Sequence, residues 1–472
     1  MIGFNLDLGH DKRKEILEKI INKIDSYYRN LDKLPVAPKL NLDEIQSYVR
    51  SIGFDVPNEP DVIIERTVEG MTKYQVHTTH PMYYGLFNPR TTPMGIAADA
   101  LAAAFNSQLA AWSHNPFGCE VENYLINEIA CRFGYDSGSA DGTFTTGGAE
   151  ANITSILCAL THFYPEYPNK GICSIKSKPV LYMTEQSHHS FIRAARVSGL
   201  GSDAIRIIPV ADELKIDIEA LQEQINIDRK NGCQPMFLTA TAGTTGAGTI
   251  DRIDRLSEIA DREKMWFHVD AAYGGALIFV KEMMKYYTGI EKSDSTTFDA
   301  HKWMNAPMGA GIFLTRHKKI LHNTFNIMTN YMPTDSAGLA VDDPYSHSIQ
   351  WSRRFIGLKV FMNLAAAGWE GYRQAVNHQI NMGNLLRELL IKSGWEIVNS
   401  TPLPVVCFRD KMKKSDDEII SICNHVVSSG KAWLSFVKLA DSLPALRACV
   451  TNYMTEEKHI LALVDILNKA RG

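Results

Sequence analysis

The chain has 472 residues, about three times the ~150 residues of an average domain, so it can bury a large core and carry a subsidiary unit. Hydrophobic residues make up 45% and charged residues 22%, ordinary globular usage that excludes disordered and fibrous classes. Lys and Arg number 49 against 53 Asp and Glu, a formal charge of −4. No global basic field therefore exists to gather nucleic acid or an anionic membrane surface.

No apolar run approaches the ~20 residues of a bilayer span. The first ten residues place Asp7 inside their apolar stretch and do not read as a signal peptide. The eight cysteines, at 119, 131, 158, 173, 233, 407, 423 and 449, show neither Cys-x-x-Cys nor a paired Cys/His spacing. The expectation is a cytoplasmic protein with reduced thiols, no disulfide framework and no metal.

In chain order, Leu17, Ile20, Ile21, Ile24, Tyr28 and Leu31 recur at helical spacing, which predicts an amphipathic helix over 12–31. Glu15, Glu18 and Asp25 interrupt its lysines, favouring a face that packs on protein over one that lies on lipid. Residues 1–85 are expected to form an N-terminal helical segment packing on a partner subunit. From 86 to 350, helical stretches alternate with short apolar runs at 179–183, 205–210, 236–240 and 265–269. That pattern predicts an α/β domain built on a large, mostly parallel sheet. Residues 351–472 read as a small C-terminal α+β domain. It has a helix around 355–367, strands at 396–398 and 405–408, and a helix capped by Ser415 with Glu418 that ends before Gly430. Two further strand-like runs and a final helix after Thr455 complete it.

Four pieces carry chemistry. Gly142-Thr-Phe-Thr-Thr-Gly-Gly-Ala-Glu-Ala-Asn152 turns a strand into a helix through two glycines, presenting free N–H groups to an anion. Alone, such a turn serves tight packing as readily as phosphate binding. In Phe267-His-Val-Asp-Ala-Ala-Tyr-Gly-Gly275, Asp270 closes an apolar strand, and the carboxyl ends of strands face the ligand crevice in open α/β sheets. In Ser295-Thr-Thr-Phe-Asp-Ala-His-Lys-Trp-Met304, Lys302 follows another strand among apolar neighbours, where a lysine needs a partner or a covalent role. Glu185-Gln-Ser-His-His-Ser190 follows the 179–183 strand. An anion turn, a carboxylate, a lysine and a histidine at one sheet edge are what pyridoxal 5'-phosphate requires.

With these motifs, the sequence from about His80 to Tyr453 resembles the group II pyridoxal-phosphate-dependent amino-acid decarboxylases, which include the aromatic-L-amino-acid, histidine and glutamate enzymes. The resemblance implies the aspartate-aminotransferase type I fold and a homodimer with active sites at the interface. By matched position, Lys302 would be the Schiff-base lysine and Asp270 the partner of the pyridinium. Ala272 would touch one face of the ring and His188 would stack on the other, with His189 structural. Gly148 and Ala149 would supply phosphate donors, with His301 nearby, and Thr245 in Gly-Thr-Thr-Gly would stand near the cofactor oxygen and the substrate carboxylate. Tyr331, in Asn326-Ile-Met-Thr-Asn-Tyr-Met-Pro-Thr334, matches the loop tyrosine that protonates the substrate carbon.

The chain departs from the family in three places. Gly148-Ala149 replaces a Ser or Thr of many relatives, leaving more of the phosphate binding to the backbone. Asp299 replaces a frequent Asn, and a carboxylate beside a phosphate needs a partner. The substrate stretch reads Leu86-Phe87-Asn88-Pro-Arg90, where Arg90 is either a surface residue or a clamp for an acidic substrate. Ala110 stands where some aromatic decarboxylases present a bulkier group from the neighbouring subunit.

The expected reaction is decarboxylation of an L-amino acid, most plainly an aromatic one such as tryptophan, tyrosine or DOPA. The alternatives are glutamate, aspartate or diaminobutyrate as substrate, or an aldehyde synthase, against which the retained Tyr331 argues. An aminotransferase, a carbon–sulfur lyase or a non-catalytic descendant fits the motif set less well. The partners implied are a small-molecule amino acid and a second copy of the chain, with no nucleic acid and no membrane.

Overall fold

The computed structural model describes residues 6, 8–327, 339, 341–413 and 415–472. Seven strands, β1 (Asp141–Thr145), β2 (Lys178–Thr184), β3 (Ile205–Ile208), β4 (Cys233–Thr241), β5 (Trp266–Asp270), β6 (Ser295–Asp299) and β7 (Gly311–Thr315), form one sheet in the order β1-β7-β6-β5-β4-β2-β3. β7 runs antiparallel to both neighbours, and the pairs from β6 across to β3 are parallel. β1 therefore points the same way as β6. The carboxyl ends of β1, β2, β4, β5 and β6 all open on one edge, where an α/β sheet binds its ligands.

Helices cover both faces, which is why β5, β6 and β7 are buried at every position rather than on alternate residues. Phe144, Val269, Phe298 and Ile312 belong to the resulting core. The 205–210 run is shorter as a strand than expected. It stops at Ile208, because Pro209 has no N–H to donate to a ladder, and Val210 returns in a single bridge to Ile216.

A second sheet, β8 (Trp395–Ile397), β9 (Val405–Asp410), β10 (Ser435–Lys438) and β11 (Pro444–Cys449), is antiparallel in the order β10-β11-β9-β8. Its own core joins Leu386, Trp395, Phe408, Ile460 and Leu463. The capping box is present: Ser415 Oγ accepts from Glu418 N, and Glu418 Oε2 accepts from Ser415 N, at the head of the helix Asp416–Ser428. The helix expected over 355–367 is instead the first part of a longer element, Gly357–Lys392, interrupted at Gly368 (φ 64°, ψ 174°). That conformation is open to glycine and strained for other residues, so the chain changes direction there and resumes the helix.

The N-terminal helix Gly9–Asn30 lies against Pro60–Lys73 of the same chain. Lys19 reaches Asp61 at 2.8 Å and Lys23 reaches Glu65 at 2.6 Å, while Leu17 and Ile21 stay exposed. Among the described residues, no helix is long and apolar enough to cross a membrane.

Candidate active site

Each chemical group arrives from the carboxyl end of a strand. β1 leaves the sheet through Gly147 into the helix Gly148–Phe163. β2 is followed by His188 and the helix Ser190–Val197. β5 ends on Asp270 itself, and β6 ends on Asp299, three residues before Lys302. Together they enclose a cavity of about 280 Å³, close to the ~300 Å³ lower bound for small-molecule sites. Its walls include Gly148, Ala149, His188, Thr245, Asp270, Ala272, His301 and Lys302.

Asp270 is buried and fixed from two sides. Oδ1 accepts from Ala272 N at 3.1 Å, and Oδ2 accepts from Asn152 Nδ2 at 3.0 Å. Asn152 is the hub of this region. Its amide nitrogen also donates to Ser190 Oγ at 2.9 Å, and its oxygen accepts from Thr297 Oγ1 at 2.7 Å. His268 Nε2 lies 3.2 Å from that oxygen, and its Nδ1 lies 2.8 Å from Ser295 Oγ. Full burial pulls the His268 pKa down to about 4, so the ring is neutral and its Nε2–H can donate to Asn152.

Lys302 Nζ forms an ion pair with Asp299 Oδ2 at 3.0 Å, and His301 Nε2 stands 3.8 Å from the same oxygen. The other carboxylate oxygen, Asp299 Oδ1, is buried with no hydrogen-bond partner among the described residues. Ala310 N donates to His301 Nδ1 at 3.3 Å. His188 Nδ1 is held by Ser190 Oγ at 2.8 Å, with its ring open to the cavity. Desolvation pulls the pKa of both His188 and His301 below the usual imidazole value, opposed by Asp270 for His188 and by Asp299 for His301.

The anticipated substrate stretch divides. Phe87 is buried, stacks on Tyr273 with centroids 3.9 Å apart, and lies 6.0 Å from Lys302 Nζ. Tyr273 stacks in turn on Trp303. Leu86 is exposed, and Asn88 accepts a hydrogen bond from Tyr83 OH at 3.2 Å. Arg90 places its guanidinium 4.3 Å over the Tyr28 ring and is not part of the cavity wall. Ala110 is buried, its carbonyl accepting from Tyr345 N, and it does not line the cavity of its own chain. Tyr331 lies outside the described residues.

Two residues escaped the sequence reading. Asn152 ends the glycine-turn motif, but nothing in its spacing says that it holds Asp270. Arg447, on β11, is buried and reaches across between the two sheets. Its Nη1 donates to Thr245 O at 2.5 Å, its Nη2 donates to Gly85 O at 3.2 Å, and its Cζ sits 5.6 Å from the Phe87 ring. A lone arginine in a strand of the smaller domain carries no motif signal.

Pyridoxal phosphate fits these residues. A Cβ at Gly148 would stand 3.0 Å from Asp299 Oδ2 and 3.3 Å from Ala272 Cβ, so the bare glycine keeps the head of the helix open for an anion. Asp270 is a buried acceptor that a ring N–H can meet, and Thr241 Oγ1, on the cavity wall, is a buried hydroxyl lacking a partner among the described residues.

The chain matches the pyridoxal-dependent decarboxylase conserved domain over residues 47–411. It is 28% identical over 468 residues to an aromatic-L-amino-acid decarboxylase of Bacillus atrophaeus, covering 98% of this chain and 95% of that one. It is also 28% identical over 358 residues to an L-aspartate decarboxylase of Metarhizium robertsii, covering 74% and 71% of the two chains. The fold is that of the Oryza sativa TDC crystallised with PLP and tryptamine, with a TM-score of 0.93 at 22% identity over 98% of each chain. Because the domain match takes in both the cavity and the sheet that carries it, the chain belongs to the pyridoxal-dependent decarboxylase family and is an enzyme that decarboxylates an amino acid with pyridoxal phosphate.

Proposed function

We propose that the substrate is an aromatic L-amino acid, released as its amine and CO2, and that Lys302, Asp270, His188 and Tyr331 do the work. One observation carries this reading: Lys302, Asp270, His188 and the Gly148 turn line the same cavity, with the stacked rings of Phe87 and Tyr273 beside the lysine amine.

When bound, the cofactor supplies a pyridine ring that takes up the electron pair left by departing CO2. The rest falls to the chain. Lys302 would hold the cofactor through its side-chain amine, which Asp299 keeps in place at 3.0 Å. Asp270, clamped by Asn152 and Ala272, keeps a proton on the ring nitrogen. His188, its Nδ1 pinned by Ser190, presents a flat face opposite Ala272. The backbone N–H groups of Gly148 and Ala149, on the cavity wall, would hold the phosphate. Arg447 is a positioning residue that fixes Thr245 and the backbone at Gly85, and so sets the wall in front of the substrate. Tyr331 returns a proton to the α-carbon.

Arg90 supports the aromatic reading, since its charge is already engaged over Tyr28 and away from the cavity. A second reading, an acidic substrate, draws on Arg447. That buried guanidinium has Nε without a partner and forms no ion pair among the described residues.

The test is amine and CO2 release by cofactor-loaded protein across tryptophan, tyrosine, DOPA, phenylalanine, histidine, glutamate, aspartate and 2,4-diaminobutyrate. Equal amounts of amine and CO2 from an aromatic member are expected. Turnover of glutamate or aspartate alone transfers the assignment to an acidic substrate. Aldehyde and peroxide in place of amine remove Tyr331 from its role, and turnover by a Lys302→Ala protein removes the whole scheme.

A further inference from the structure

The cysteines gave no metal site, but the fold assembles a different donor set far from the cavity. His322, on the helix Ile320–Phe325, meets Asp342 and His347, which lie beyond it in the chain. One donor atom from each falls within 4.8 Å of the others. The two imidazole centroids are 6.0 Å apart. His347 Nε2 stands 3.9 Å from Asp342 Oδ2 and 3.8 Å from Asp141 Oδ2, too far for a hydrogen bond. Donors that share one ion at ~2.0–2.2 Å, however, are roughly 3–4 Å from each other. These separations suit a cation between the groups better than direct contact. His347 Nδ1 is meanwhile held by Ser346 Oγ at 3.1 Å, the outer contact that orients a ligating imidazole.

The surroundings suit an ion as well. The cluster opens on a cavity of about 700 Å³ lined also by Glu120, Lys318 and Lys319. There the three carboxylates of Glu120, Asp141 and Asp342 outnumber the two ammonium groups, and solvent has a path in. Asp141 begins β1, whereas Gly147 follows its end. At ~3.3 Å per residue, the cluster lies on the opposite edge of the sheet from Lys302, roughly 20 Å away.

We infer that His322, Asp342 and His347 form a binding site for a divalent first-row transition ion, for which Zn²⁺ is the natural probe. Two imidazoles with a carboxylate and no thiolate match Zn²⁺, Ni²⁺ or Fe²⁺ chemistry rather than Mg²⁺ or Ca²⁺, which take all-oxygen sets. Because His322 precedes residues 328–338 in the chain and Asp342 and His347 follow them, a bound ion would tie the two flanks together and stabilise the folded form by mass action.

The experiment is calorimetric titration of the cofactor-loaded full chain with Zn²⁺, repeated with Co²⁺ to read the ligand field. One saturable ion per chain is expected, with a Co²⁺ spectrum free of thiolate charge transfer. His322→Ala and the exposed Asp342→Asn should each weaken binding at least tenfold. Cys131→Ser and Cys173→Ser, which remove the exposed thiols, should leave it unchanged. Asp342→Asn guards against a His322 variant that fails to fold. No saturable binding, binding that survives both ligand substitutions, or binding lost with either cysteine would overturn the site.

Discussion

Replacing Asn152 by Ala tests the proposed arrangement around Asp270 most directly. The side chain is 1% exposed and makes four polar contacts, to Asp270, Ser190, Thr297 and His268. Two can be partly recovered, because Thr297 Oγ1 already lies 3.4 Å from His268 Nε2 and can turn to it. The contact to the Asp270 carboxylate has no such substitute, and a hydrogen bond to a charged group is worth about 1.5–3 kcal/mol. With a small void added, the apo protein should lose about 2–4 kcal/mol in urea unfolding followed by circular dichroism. Asp270 would then be held by Ala272 N alone, and pyridoxal phosphate affinity, read by fluorescence titration, should fall about tenfold or more, since ~1.4 kcal/mol is a factor of ten. A variant that binds cofactor within about twofold of the parent, with stability within ~0.5 kcal/mol, would refute the idea that Asn152 orients Asp270.

Further outcomes follow from neighbouring features. Gly148→Ala places a methyl 3.0 Å from Asp299 Oδ2 in the phosphate cradle; cofactor affinity should drop about tenfold or more while the apo melting temperature moves by no more than ~4 °C, and unchanged affinity would show that the phosphate sits elsewhere. His268 is buried neutral with its pKa lowered to about 4 from 6.5. The unfolded chain therefore binds more protons between those values, and this residue's contribution to stability is full above pH 6.5 and lost as pH falls toward 4. Over that window the apo parent should lose about 3 kcal/mol more than His268→Gln, measured by urea midpoints at a series of pH values; parallel pH profiles would contradict a neutral buried ring. Arg353→Met strands the Glu122 carboxylate, now paired at 2.6 Å and buried, and should cost about 3–5 kcal/mol. Adding Glu122→Gln should recover much of that loss, and two single variants as stable as the parent would count against the pair.

What the sequence made legible is what local physics controls. The runs at 236–240 and 265–269 lie within β4 and β5 apart from Met265, because strands covered on both faces are mostly apolar. The glycine turn, Asp270, His188 and Lys302 were readable because each directly follows or closes such a strand, and a parallel sheet brings those ends to one edge. The reading weakened where one residue overrides a pattern, as Pro209 does in cutting β3 and Gly368 does inside a long helix. It failed where the partner is distant. Arg447 and Asn152 take their meaning from Thr245 and Asp270, contacts that no periodicity encodes. For Arg90 the sequence left two roles open, and the Tyr28 ring, supplied by the N-terminal helix, occupies the guanidinium.

The antiparallel strand β7 has a consequence for how the enzyme is made. β1 leads into the Gly147-Gly148 turn, yet its ladder partner is β7, with Thr145 opposite Gly311. During synthesis at ~5–20 residues per second, β1 must wait roughly 10–30 s for the strand that fixes it, and β2 to β6 emerge in the interval. A growing chain can thus align the lysine-bearing and aspartate-bearing strands before the anion turn has a place to dock. Cofactor capture on the ribosome would have to follow the emergence of β7, and a chain stalled before residue 311 would leave β6 as an unpaired sheet edge open to aggregation.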